Sequence, residues 1–150
     1  MGWCGSDTEM EKLSLDSSVV IKWFSEEEDT DRALRILDAY INGSLDLLVS
    51  HLLFYEVINA LRYKPDFTIE NLKRAIEALF KLHVKIIGLD EKTMMLSAEI
   101  ALEDDVTIYD AIPVATAEIE KATCITADEK TQYSKLKRRH PIILLKEYKI

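Results

Sequence analysis

From Lys12 onward the chain alternates short, almost unbroken apolar runs with longer stretches in which apolar residues recur every three or four positions. The short runs KLSLD (12–16), LDLLVS (45–50), VKIIGL (84–89), TCITA (123–127) and PIILLK (141–146) have the length and side chains of strands. Between them SSVVIKWF, TDRALRILDAYI, HLLFYEVINALRY, TIENLKRAIEALFKL and the segments 91–103 and 107–122 carry helical spacing, and DEKTQYSKLKRR (128–139) reads as a polar helix. Strands that are apolar at successive rather than alternate positions must be covered on both faces. The pattern therefore predicts an α/β chain, a single-domain α/β/α sandwich with a mostly parallel sheet of about five strands. In open sheets of that kind sites form outside the carboxyl ends of the strands, so chemistry is expected there.

Local signals sharpen the boundaries. Pro65 ends one helix, and Thr68, with Glu70 and Asn71 following, predicts the entry of the next. Residues 1–11 are polar, carry Trp3 without apolar company, and hold a second methionine, Met10; they are expected to be a disordered tail, an alternative start or a cloning remnant, with the domain spanning 12–150.

With 48% apolar residues in 150, the chain can close one substantial core and is too short for two. It has no apolar run near the roughly 20 residues that cross a bilayer, and its start lacks the basic and apolar regions of a secretory signal, so a cytoplasmic protein is expected. Cys4 and Cys124 lie far apart and match neither a metal knuckle nor a disulfide framework. The formal net charge of −8, from 27 acidic and 19 basic residues, excludes a protein that holds nucleic acid by counterion release alone. Carboxylates gathered in one pocket would repel phosphate unless a cation sat between them.

Four acids are candidates for such a pocket. Asp16 ends the first strand, Asp128 follows the fourth, and Asp110 opens a helix. Each taken singly is also a favoured helix cap, as Asp90 is expected to be, and Thr107 with Asp110 has capping-box spacing. Glu56 is different: it interrupts LLFYEVINAL, a helix otherwise almost wholly apolar, where an unpaired carboxylate is costly to bury. Asn59 lies three residues on, along the same helical face. Glu56 either pairs with a cation such as Lys22 or Arg62, or joins the aspartates in one cleft, where mutual repulsion would raise their pKa values until Mg²⁺ or Mn²⁺ neutralised them. Asp104, Asp105 and Glu129 are read as solvated acids, with Glu129 a further possible member of the site. Lys135, Lys137, Arg138, Arg139 and His140 form one basic cluster, either a solvated helix end or a phosphate-holding patch.

LDSSVVIKWF, LLFYEVINALR, TIYDAIPVATAE and CITADEK, in this order and spacing, resemble the successive motifs of PIN-domain ribonucleases, especially the VapC-type toxin subunits of type II toxin–antitoxin systems. The resemblance covers about residues 13 to 146. It implies a PIN-like fold and a catalytic set of Asp16, Glu56, Asp110 and Asp128, with Asp16, Asp110 and Asp128 holding Mg²⁺ or Mn²⁺ and with Asn59 and Thr126 in support. It also implies water attack on an RNA phosphodiester that leaves 5′-phosphate and 3′-hydroxyl ends, a homodimer, and an antitoxin protein whose Arg can enter the acidic site. Lys135, Arg138 and Arg139 would then contact RNA, and Trp23, Phe24, Phe54 and Tyr55 could serve the core or an interface. Pro113 departs from the family pattern and puts the aim of Asp110 in question. Two rival readings are a housekeeping PIN nuclease of ribosomal or transfer RNA and, from another class, a receiver-like phosphoacceptor in which Lys146 would act as the conserved-type lysine. Against the latter, no acidic pair follows an early strand and Glu56 would be unexplained.

Overall fold

The computed structural model of the chain describes residues 10–150, so most of the expected tail lies outside the described residues. Five strands, β1 (Glu11–Leu15), β2 (Leu45–Ser50), β3 (Lys85–Ile87), β4 (Thr123–Thr126) and β5 (Ile142–Leu144), pair in the order β3-β2-β1-β4-β5. Every pairing is parallel. The helices are α1 (Ser17–Val20), α2 (Thr30–Ile41), α3 (Leu52–Arg62), α4 (Ile69–Lys81), α5 (Glu91–Asp104), α6 (Ile108–Glu120) and α7 (Ser134–Leu136).

The period-two geometry of the strands divides the core. On one face Leu13, Leu15, Leu47, Val49 and Ile125 pack against α1, α2, α3 and α4 through residues such as Val20, Ile36, Val57 and Leu79. On the other, Leu48, Cys124 and Ile142 pack against α5, α6 and α7 through Ile100, Val114, Ala115 and Leu136. Both faces are covered, which is why successive strand positions read as apolar. Small residues on the sheet side of α6, Ala111, Ala115 and Ala117, are fully buried. They let this helix lie close to the sheet, and Ser14 on β1 donates across to the Pro113 carbonyl at 2.9 Å.

Helix α6 runs through Pro113 without interruption. Pro113 sits in the second turn and has no N–H to offer the Tyr109 carbonyl, so α6 forgoes that one bond, while Ser14 ties the Pro113 carbonyl to β1. The expected cap residues behave as read: Thr68, Asp90 and Thr107 accept from the main-chain N–H of Asn71, Thr93 and Asp110. The segment 128–139 differs from the polar helix expected of it. It forms a π-turn over Glu129–Tyr133 and only the short α7, because Gln132 turns inward and is fully buried.

The chain passes from β1 outward to β2 and β3, then returns to place β4 and β5 on the opposite side of β1. The carboxyl ends of β1 and β4 thus flank the point where the strand order reverses, the position at which such sheets leave a crevice.

Candidate active site

Asp16 follows β1 directly into that crevice. It is 8% exposed, and its Oδ2 accepts from the Ser18 N–H at 3.0 Å, capping α1. Burial pushes its carboxyl above the usual range; hydrogen bonds from Ser18 and Gln132 oppose the shift, and the charge of Asp128 adds to it.

Glu56 reaches the crevice from α3. Neither cation suggested as its partner takes that role: Lys22 pairs with Glu27 at 3.4 Å, and the Arg62 guanidinium lies 4.4 Å from the centre of the Tyr63 ring. Burial, then the charge of Asp16, raises Glu56 to about 7; a hydrogen bond with the Ser17 side chain opposes this and the charge of Asp110 reinforces it.

Asp110 stands in the first turn of α6, its N–H donating to Thr107 Oγ1 at 3.0 Å. Burial raises its pKa first, then the charges of Asp16 and Asp128, with Thr107 and Lys135 opposing. Asp128 lies just beyond β4 and caps the π-turn: Oδ1 accepts from the Thr131 N–H at 3.0 Å and Oδ2 from the Thr131 hydroxyl. Thr126, buried at the end of β4, accepts from the Asp128 N–H at 3.0 Å.

The structure therefore brings all four acids into one field, since Asp16 feels Asp128, Glu56 feels Asp16 and Asp110, and Asp110 feels Asp16 and Asp128. None of the four forms a salt bridge among the described residues. Capping and convergence coexist, because Asp16 and Asp128 serve the turns that follow their strands at the point where the strand order reverses. Among the described residues no three His, Cys, Asp or Glu groups are gathered tightly enough to cage an ion unaided. The donor set is nonetheless hard, anionic and uncompensated, and it fits a small divalent ion that keeps part of its water shell.

Other candidates fall on either side of this cleft. Asn59 is exposed and, with Glu56, lines an open apolar groove of about 880 Å³ between α3, α4 and Ile86 of β3. Trp23, Phe24 and Phe54 are half-buried against the core, whereas Tyr55 is 68% exposed in the groove wall. The basic cluster is largely engaged. Lys135 donates to the Asp105 carbonyl at 2.9 Å, Arg139 pairs with Glu103 and Asp104, and His140 sits between Asp104 and Glu118. Arg138 is exposed and forms no ion pair among the described residues. Lys146 bonds Glu129 at 3.0 Å.

Three contributors went unread in the sequence. Ser17 and Ser18 directly follow Asp16, so adjacency was an available signal. Gln132 was not legible, because in a polar run nothing distinguishes an inward amide from a solvated one.

The sequence profile of the PIN domain matches residues 13–138. Among curated proteins, none matches the chain. Solved structures share its fold. A toxin–antitoxin complex from Klebsiella pneumoniae is 21% identical with a TM-score of 0.67, covering 93% of this chain and 100% of its own. VapBC2 from Rickettsia felis, bound to a DNA fragment from its promoter, is 16% identical with a TM-score of 0.62, covering 90% and 97%. VapC20 of Mycobacterium tuberculosis, a toxin that cleaves the sarcin–ricin loop, is 12% identical with a TM-score of 0.65, covering 83% and 95%.

Proposed function

Starting from the fact that this chain belongs to the PIN domain family, we propose that it is a metal-dependent endoribonuclease, the toxin subunit of a toxin–antitoxin pair. The observation that carries the reading is the uncompensated acidic cleft, in which three carboxyls are raised by burial and by one another. A protein leaves such a cluster unpaired when a cation is its natural complement. The solved relatives with toxin–antitoxin titles support the toxin label.

In this reading Asp16, Asp110 and Asp128 would hold Mg²⁺ or Mn²⁺, each already oriented by its local hydrogen bonds. When bound, such an ion would supply polarisation of the phosphate and a water of lowered pKa. Glu56, beside Asp16 and Asp110 and without a salt bridge among the described residues, is suited to position the attacking water and take its proton. Thr126 holds the main chain of Asp128, and Asn59 extends the polar edge of the cleft toward the groove. Arg138, with Lys135 and Arg139 beside it, offers the positive charge an RNA backbone requires in an otherwise acidic protein.

The groove supports the antitoxin. Its walls, including Tyr55, Ile58, Leu72, Ile76, Phe80 and Ile86, are apolar and open, and Glu56 lies at its lip. An amphipathic peptide seated there would bring an Arg within reach of the carboxylates, and bidentate pairing would block the cleft. Met95, Ala98 and Leu102 form an exposed stripe along α5, which supports a homodimer.

The test incubates purified protein with labelled ribosomal and transfer RNA, with and without Mn²⁺, beside the Asp16→Asn variant. Cleavage by the wild type only, and only with metal, is the expected result. Metal-independent cleavage, or full activity in the variant, would overturn the assignment.

A further inference from the structure

Gln132 is fully buried, yet it lies in a run with the composition of a solvated helix. The π-turn puts it there. Tyr133 N–H donates to the Asp128 carbonyl five residues back at 3.0 Å, and this wider turn directs the preceding side chain under the cleft. Its amide nitrogen donates to the Asp110 carbonyl at 2.9 Å and faces Asp16 Oδ1 at 3.4 Å. Its amide oxygen meets the Thr126 hydroxyl.

The orientation of the amide is forced. A main-chain carbonyl and a carboxylate are acceptors only, so the nitrogen must face Asp110 and Asp16. Thr126 Oγ1 already accepts from the Asp128 N–H, which leaves its own proton for the amide oxygen. The opposite flip would set an oxygen against two acceptors. No other uncharged side chain of this length offers two donors at one corner and an acceptor at the other.

We propose that Gln132 is a positioning residue of the acidic cleft, a single amide that ties the Asp16 carboxylate, the first turn of α6 that carries Asp110, and the Thr126 hydroxyl that holds Asp128, and so sets the spacing of the metal-holding carboxylates. With Ser18 on Oδ2 and Gln132 on Oδ1, both Asp16 oxygens are guided. Asp16 follows β1, Asp110 stands in α6 and Asp128 follows β4; Gln132 bonds to the first two and reaches the third through Thr126. The inference rests on the metal-dependent reading above.

Two variants test it, Gln132→Met, which keeps the bulk and removes the amide, and Gln132→Asn, which keeps the amide and shortens its reach by one methylene. Mn²⁺ affinity is measured without RNA, from the free-ion electron paramagnetic resonance signal, alongside thermal melts and RNA cleavage kinetics. Gln132→Met is expected to bind Mn²⁺ roughly tenfold to a hundredfold more weakly, and to lose activity in kcat more than in KM. If burial makes Gln132→Met unfold, Gln132→Asn is expected to fold and show the same loss of affinity to a smaller degree. A role in packing alone would lower the melting temperature and leave the Mn²⁺ affinity of the folded protein unchanged. Wild-type affinity in a folded variant would overturn the role of Gln132 while the metal reading stands. A wild-type protein that binds no Mn²⁺ would instead remove the metal reading, and this inference with it.

Discussion

Glu56 shows how one side chain can link stability to function. Its carboxyl rises from an ordinary 4.5 to about 7 in the metal-free protein, chiefly through burial and the charge of Asp16. Between those values the folded chain binds more protons than the unfolded one, so stability falls as pH rises from about 4.5 to 7 and stays reduced above. Glu56→Gln should remove that slope and melt higher than wild type at pH 8, by roughly 2–4 °C for each kcal/mol relieved; thermal melts across pH in a chelator decide it. Mn²⁺ should stabilise both proteins, since Asp16, Asp110 and Asp128 are retained, and should do so more in the wild type, where it also offsets the charge of Glu56. Asp16→Asn makes a complementary prediction: Asn still caps α1, so the fold should persist while cleavage falls by more than the roughly 10–100-fold typical of losing an outer partner. Circular dichroism and a cleavage assay on the same sample separate the two effects.

Helix α6 is the element on which the cleft depends most. Its start is held by Thr107, its second turn by Ser14, and its Asp110 carbonyl by Gln132. Thr107→Ala should cost about 1 kcal/mol through loss of the cap. Ser14→Ala should cost about 1 kcal/mol, the usual net worth of one hydrogen bond, because the Pro113 carbonyl keeps its helical donor and loses only the tie to β1. Chemical denaturation checks both, and only Thr107→Ala is expected to loosen Asp110. The caps at Thr68, Asp90 and Thr107 were legible in sequence because a cap is made within three residues of itself. The segment 128–139 misled for the opposite reason. Its polar residues read as solvated, but Gln132 finds its partners at Asp16, Thr126 and the Asp110 carbonyl, two of them 116 and 22 residues away.

Across the whole molecule, His140 joins parts that share no sequence neighbourhood. Its ring lies between Asp104 at the end of α5 and Glu118 on α6, and its own segment leads into β5. Burial opposes its charge, but the hydrogen bonds to Glu118 and Asp104 and their charges outweigh it, so its pKa is raised above the ordinary 6.5. The stabilising charge is complete below 6.5 and is lost as pH rises through the raised folded value. His140→Gln should therefore narrow the difference in urea stability between pH 6 and pH 9 relative to wild type. Arg139 shares Asp104 and would keep part of the tie. A second prediction at this scale concerns the groove: Ile76→Glu, at a partly exposed wall position, should leave RNA cleavage intact and weaken an amphipathic antitoxin peptide by tenfold or more, on the order of the loss at an interface anchor. Binding measured by fluorescence anisotropy, with cleavage as control, tests it.

What the sequence by itself determined was the alternation of five doubly covered strands with helices, and hence a parallel sheet. It also singled out the four acids as candidates, because Glu56 in an apolar helix demanded a complement and four ordered motifs resembled one family. Those signals survive in one dimension since they are periodic, local or costly to violate. Only the tertiary structure decided that Glu56 has no salt bridge among the described residues, that most of the basic cluster is engaged by Asp104, Asp105, Glu103 and Glu118, that Pro113 leaves α6 intact, and that Gln132 lies beneath the cleft. Each of these depends on which side chains meet across long separations, and a charge or an amide does not carry its partner's position in its own neighbourhood.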